Sequence, residues 1–393
     1  MTSELDAISA VLAKVKPLET CIAPLIDALG RFAARDLVAQ RPLPGFDNSA
    51  MDGYAVVAEC CRKGARLRVI DEQPAGEDRG LTISAGEAIR IFTGAPIPSG
   101  ADAVIMQEEV TRDGETIVAQ CEVKPGEFVR RKGSDLAEGQ KILARGQRIA
   151  APTLALLASQ GVAEVEVGGT PRVAIISSGD ELLRAGDVPR PGQIFESNSI
   201  MLRALVADLG AEIAFVEHYR DDLGALKEIF ARGLQNHALI VSGGVSVGER
   251  DLVRSALRAL GAEIDLWRVA IKPGKPFLFG RANNCSIFGL PGNPVSAFVT
   301  FLKFVRPALL KMMGAAEEHL GLRQVQARLA TEVTNDSDRP HYLRGELRAG
   351  QFTIIGRQES HALFGLSRAN ALLRAAPGSK FAAGASVLVE LWD

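Results

Sequence analysis

The segment Ser242-Gly243-Gly244-Val245-Ser246-Val247-Gly248-Glu249-Arg250-Asp251 concentrates residue types suited to holding an anion. It follows an apolar run at 238–241 and precedes a helix-like pattern at 251–260. Its glycines let backbone amides approach a phosphate-type ligand at the positive end of the following helix. Ser242, Gly243, Gly244, Ser246 and Gly248 are therefore candidate ligand contacts. Asp251 either caps the helix or holds a cation. The spacing is neither a Walker loop nor a GxGxxG fingerprint. A second turn, at 290–297, follows the apolar run 286–290 and opens a helix pattern over 295–310. Asn293 fits its N-cap and Pro294 its first helical position. Ser296 falls in the first turn, where a hydroxyl and unpaired amides can face a ligand. Between the two turns, Lys272 and Lys275 bracket Pro273-Gly274 and precede Pro276. The prolines restrict the backbone and hold the two ammonium groups in place.

Such loops need a scaffold. From Pro171 onward strands at 172–177, 212–218 and 238–241 alternate with helices at 197–210 and 223–233, the first with Ser197 as N-cap and Gly210 as its stop. This alternation predicts a mostly parallel, doubly wound sheet with helices on both faces and ligands beyond the carboxyl ends of its strands. Asp180, Glu181, Asp221 and Asp222 all fall at such ends. Helix capping is the alternative reading for the aspartates, and a first-turn acid facing a helix dipole is the alternative for Glu181. Upstream, residues 4–38 carry helix-period apolar positions broken at Pro17 and Pro24. Residues 41–143 read as short strands (67–70, 88–92, 103–107, 115–119) punctuated by Gly and Pro. A helical segment at 152–159 leads to a strand at 164–167. After Met313 a linker leads to a small β domain ending in a strand at 385–392.

A chain of 393 residues exceeds one core, so two to four domains are expected. The net charge of −2, with Lys and Arg scattered, argues against nucleic acid as a main partner. Five cysteines without CxxC spacing suit reduced thiols rather than a disulfide framework. The N-terminus is acidic and lacks a signal-peptide pattern. No apolar run approaches the ~20 residues a membrane span requires, and Lys303 and Arg306 interrupt the best one. The expectation is a cytoplasmic protein with no membrane association.

Taken in order, six segments make the chain resemble the molybdopterin molybdenumtransferases, the family of bacterial MoeA and the gephyrin E domain. They are Asp47-Asn48-Ser49-Ala50-Met51-Asp52-Gly53-Tyr54-Ala55, then Ile91-Phe92-Thr93-Gly94-Ala95-Pro96 with 100–104, then Ser178-Gly179-Asp180-Glu181-Leu182, and the loops at 242–251, 271–277 and 289–297. The resemblance implies four domains. Residues 1–43 and 144–170 form an elongated, discontinuous dimerisation domain of helices and strands, and 44–143 a β-rich domain. Residues 171–314 form the doubly wound α/β molybdopterin-binding domain, and 318–393 a small C-terminal β-barrel-like domain.

The implied reaction inserts molybdate into adenylylated molybdopterin, cleaving the phosphoanhydride and releasing AMP. Implied catalytic residues are Asp52, Thr93, Glu181, Asp251 and Lys272, with Mg²⁺ held by Glu181, Asp221 and Asp251. Lys272 and Lys275, with Arg344 and Ser367, are implied around the molybdate. Pro291, Gly292, Asn293 and Ser296 join the glycine loop in substrate binding. Arg268 stands where the family pattern leads one to expect a lysine. A homodimer with active sites built across its interface is implied, as are contacts with the adenylyltransferase and with downstream cofactor acceptors. Turn chemistry at Asp52-Gly53 and Thr93-Gly94 remains the alternative for those two residues. Two other functions share the α/β module: a molybdopterin adenylyltransferase, normally a single compact domain, and a regulatory or scaffold paralogue that binds the pterin without processing it.

Overall fold

The strand Arg172–Ser178 shows how the sequence builds the central sheet. Val173 and Ile175 enter one buried apolar cluster while Ala174 and Ile176 enter another. A strand apolar on both faces must be covered on both faces. The first cluster takes Leu202 and Val206 from the helix Asn198–Asp208. The second takes Leu226, Ile229 and Phe230 from the helix Leu223–Gly233, with Val253, Ala256 and Leu257 from the helix Leu252–Ala259. In this computed structural model residues 1–219, 222–244 and 252–392 are described.

The sheet has six strands, in the order Glu212–Tyr219, Arg172–Ser178, Ala238–Ser242, Cys285–Leu290, Leu278–Ala282, Glu263–Trp267. The first four are mutually parallel, and Leu278–Ala282 runs antiparallel to both its neighbours. The earliest strand therefore lies between the second and third. Strand order reverses on either side of Arg172–Ser178, and its junction with Ala238–Ser242 is a topological switch point. The doubly wound α/β architecture expected from the alternation is present.

Two compact units make up the chain. The first comprises Met1–Arg35, Ala144–Ala155 and Val162–Asp393; the second comprises Asp36–Leu143 and Leu156–Gly161. Within the first, a closed five-stranded barrel, in the order Arg323–Leu329, Gln351–Ile354, His341–Arg348, Ala371–Ala375, Ser386–Leu391, follows the α/β sheet. The second unit carries a six-stranded mixed sheet built from Ala103–Met106, Gly53–Val56, Glu87–Ile91, Arg66–Gln73, Thr116–Ala119 and Val110–Asp113.

Three local expectations are corrected. Helical periodicity over 4–38 holds only for the helix Glu4–Lys14; beyond Pro17, Cys21–Pro24 is a strand paired antiparallel with Glu164–Val167. Partners so far apart in sequence leave no trace in local periodicity. Ser197 occupies the N-cap position without a capping hydrogen bond, and Glu196 caps instead, its carboxylate accepting the Ser199 N–H at 2.7 Å. The run expected as one helix over 295–310 is interrupted: Pro294–Thr300 and Arg306–Met312 flank a π-helical turn at Phe301–Val305. Pro307 has no N–H, and its ring collides with the carbonyl four residues back. The ladder widens before it, so that the Arg306 N–H reaches the Phe301 carbonyl.

Candidate functional site

A cavity of about 610 Å³ opens at the switch point. Ser177, Ser178 and Gly179 line it from one strand end, and Ser242, Gly243 and Gly244 from the next. Gly243 has φ +89°, and a Cβ there would lie 2.4 Å from the Ser178 carbonyl oxygen. Gly244 has φ +67°, and its Cβ would meet Val253 at 2.5 Å. Any side chain at either position would force the loop off the sheet edge, so both glycines are sterically required.

Pro291, Gly292 and Asn293 form another wall, and Glu181 lines the same cavity. Asn198 ties these parts together: its Nδ2 donates to the Ser242 Oγ at 2.9 Å and to the Gly292 carbonyl at 2.7 Å. Asn293 holds the N-cap position but makes no capping bond; its amide donates to Ser360 Oγ at 2.8 Å. Ser296 is buried in the first helical turn, and the neighbouring Val295 N–H is taken by the Ser360 carbonyl. The capping expected of Asn293 is thus replaced by a tie to the segment after the barrel strand Gln351–Ile354.

Lys272 lies elsewhere. Its backbone N–H donates to Pro340 O at 2.9 Å and its carbonyl accepts the Tyr342 N–H at 2.7 Å. With His341, Thr334 and Asn335 it lines a second cavity of about 430 Å³. Lys275 is exposed. Arg344 is fully buried; one Nη donates to the Arg357 and Glu359 carbonyls while its Nε and other Nη have no partner among the described residues. Burial pushes this guanidinium below its ordinary pKa. Ser367 is exposed and its hydroxyl donates to the Phe364 carbonyl at 2.9 Å. Arg268 adopts φ +68° and places its guanidinium 4.2 Å from the Trp267 ring centroid, with Arg254 at 4.3 Å from the same ring.

In the second unit, Asp52 and Thr93 meet directly. Asp52 Oδ1 accepts the Thr93 N–H at 2.7 Å and its hydroxyl at 2.8 Å. These two bonds, the backbone one first, hold the Asp52 carboxyl below the usual carboxylate range. Asp222 caps the helix Leu223–Gly233 through the Ala225 N–H at 2.8 Å, as the capping alternative required. Asp221, Ser246, Gly248 and Asp251 lie outside the described residues. Among the described residues no group of three or more His, Cys, Asp or Glu is arranged to hold a metal. Cavity-lining residues that sequence reasoning passed over include Ser177, Phe195, Asn198 and His361. The first lies at a strand's carboxyl end, a signal that was available.

The α/β portion, residues 174–311, matches the model of a probable molybdopterin binding domain. Residues 3–161 match the MoeA N-terminal region (domain I and II) and 326–392 the MoeA C-terminal region (domain IV). The chain is 36% identical over 369 residues to a molybdopterin molybdenumtransferase of Haemophilus influenzae, covering 91% of this chain and 90% of that one. It is 37% identical over 383 residues to molybdopterin molybdenumtransferase 2 of Mycobacterium tuberculosis, covering 94% of each. The crystal structure of the molybdopterin biosynthesis moeA protein from Pyrococcus horikoshii OT3 superposes with a TM-score of 0.85 at 30% identity, covering all of both chains. The chain belongs to the molybdopterin molybdenumtransferase family of enzymes.

Proposed function

We propose that this protein inserts molybdate into adenylylated molybdopterin, cleaving the phosphoanhydride and releasing AMP. One observation carries the reading: the cavity at the switch point, with its sterically required glycines, serine hydroxyls and a carboxylate, lies in the portion that matches a molybdopterin-binding domain. Hydroxyls and backbone amides of this kind suit a diphosphate. Pro291, Gly292 and Asn293 close on the same ligand, with Ser246, Gly248 and Ser296 as further proposed contacts.

The donor set suits a hard cation. Mg²⁺ takes one or two carboxylates and leaves its remaining positions to waters and phosphate oxygens. Glu181 supplies such oxygens beside Gly179, where a Cβ would sit 2.8 Å from one of them. Glu196, the other acid lining the cavity, is already engaged with Ser199. Glu181, with Asp221 and Asp251, would hold the ion, which when bound would neutralise charge on the phosphoanhydride. Lys272 and Lys275 with Arg344 and Ser367 are proposed to hold the molybdate. Fully buried guanidinium nitrogens without partners are costly unless an anion uses them, which supports a functional role for Arg344.

Asp52 and Thr93 are proposed to complete the active site of the partner in a homodimer. Exposed apolar side chains of the first unit, Leu5, Ile22, Ile26 and Leu29, support an association surface. No helix among the described residues is long and apolar enough to cross a membrane, and a cytoplasmic location is proposed.

The test is AMP release from purified adenylylated molybdopterin, with and without molybdate and Mg²⁺, measured beside cofactor formation. Molybdate-dependent release coupled to active cofactor is expected. Tight binding with no release would replace the transferase reading with that of a carrier or regulatory protein.

A further inference from the structure

Much of the lining of the switch-point cavity is polar, but part of it is apolar. Ile194, Phe195 and Leu363 line it while remaining 57%, 48% and 39% exposed. Phe195 is held in place from both sides. The two-residue strand Ile194–Phe195 pairs in parallel with Leu182–Leu183, fixed by the Ile194 N–H to Glu181 O at 2.9 Å and the Glu196 N–H to Leu183 O at 2.8 Å. Glu196 then anchors the chain to the first turn of the helix Asn198–Asp208. An aromatic side chain carried on such a held backbone, lining a polar cavity and left half-exposed, is a platform for a planar ligand.

Asn198 adds a second, independent feature. The Gly292 carbonyl can only accept, so the Asn198 atom 2.7 Å from it must be the amide nitrogen. That assignment leaves Oδ1 as a buried acceptor with no partner among the described residues. An orphaned acceptor is of no use to phosphate or molybdate oxygens, which are acceptors themselves; it calls for a donor hydrogen, which the N–H groups of a fused heterocycle supply.

We propose that Phe195 and Asn198 seat the fused heterocycle of the substrate, its face stacked on Phe195 and one of its N–H groups donating to Asn198 Oδ1. This rests on the transferase reading above and deepens it. Both ends of an adenylylated pterin carry such a ring, and the experiment distinguishes them.

Binding of 6-hydroxymethylpterin and of AMP is measured calorimetrically for the wild type and for F195A, F195L and F195W, with thermal melts as a folding control. F195A is expected to weaken binding of one probe by roughly 5- to 150-fold, the span that base–aromatic stacking covers. F195L should fall between, F195W should recover the wild-type value, and the probe affected names the ring. In the wild type, methylating the donor nitrogen of that probe should weaken binding at least severalfold; equal affinity would remove Asn198 from the proposal. If the wild type binds either probe and folded F195A or F195L binds it as tightly, the stacking proposal is overturned. If the wild type binds neither probe while AMP release from adenylylated molybdopterin is intact, this inference is overturned and the transferase reading stands; if release is absent too, the transferase reading falls with it.

Discussion

His341 starts the strand His341–Arg348 and packs beside Lys272, whose cavity it shares. Burial first, then the cations Lys272, Arg344 and Arg339, push its imidazole down to about 4, against an ordinary value near 6.5. Between these values the folded chain binds fewer protons than the unfolded one. Stability should therefore fall as pH drops from about 6.5 to about 4, by on the order of 3 kcal/mol at most, and not change further through this group below that. Urea melts across this window should show a shallower pH slope for His341→Leu than for the wild type; parallel slopes would assign the dependence to other groups. Glu181 gives a prediction at the same scale. Glu181→Gln keeps the shape and loses the charge, so AMP release should fall by roughly 10²-fold or more and need more Mg²⁺ for half-maximal rate. An unchanged Mg²⁺ dependence would take the metal away from this residue.

Among the elements, the helix around the π turn and the barrel are joined by buried charge. Lys303 Nζ contacts both Glu390 oxygens, at 2.9 and 3.0 Å, with each side chain about nine-tenths buried. Glu4, in the N-terminal helix, is likewise buried, accepting from Tyr342 and, at 3.0 Å, from Arg374 Nε. Breaking a buried pair by removing one partner strands the other charge. Lys303→Met should cost about 3–5 kcal/mol in denaturant unfolding, and the double variant with Glu390→Leu should recover much of that loss. Equal loss in single and double variants would show that packing dominates. Element types were largely readable beforehand. The helix Leu223–Gly233 and the strand Glu164–Val167 lie where local pattern placed them. Cys21–Pro24 was not readable, because what makes it a strand is its pairing with Glu164–Val167.

For the whole molecule, the proposed homodimer has a sharp consequence. If Asp52 and Thr93 serve the partner's cavity, Asp52→Ala and Glu181→Ala homodimers should each be inactive. A co-refolded mixture should then recover about a quarter of wild-type activity, since half of randomly paired dimers contain one intact site. No recovery, or sedimentation of an active monomer, would place each site within one chain.

Composition, periodicity and the glycine- and proline-marked turns were enough to establish the alternating α/β segment, the two β-rich portions and the strand-end turns that line the cavity. Those features are local: side-chain period, φ restriction and cap chemistry act within a few residues. Which candidates share a cavity was decided by the tertiary structure. Packing brings Glu181, Ser242 and Gly292 to one cavity and ties the last two through Asn198, a residue that in the sequence marks only a helix start. It sets Lys272 beside His341 in a separate cavity and buries Arg344 completely. The physical reason is that strand order, register and burial arise from contacts between distant segments, and no short window of sequence contains both partners.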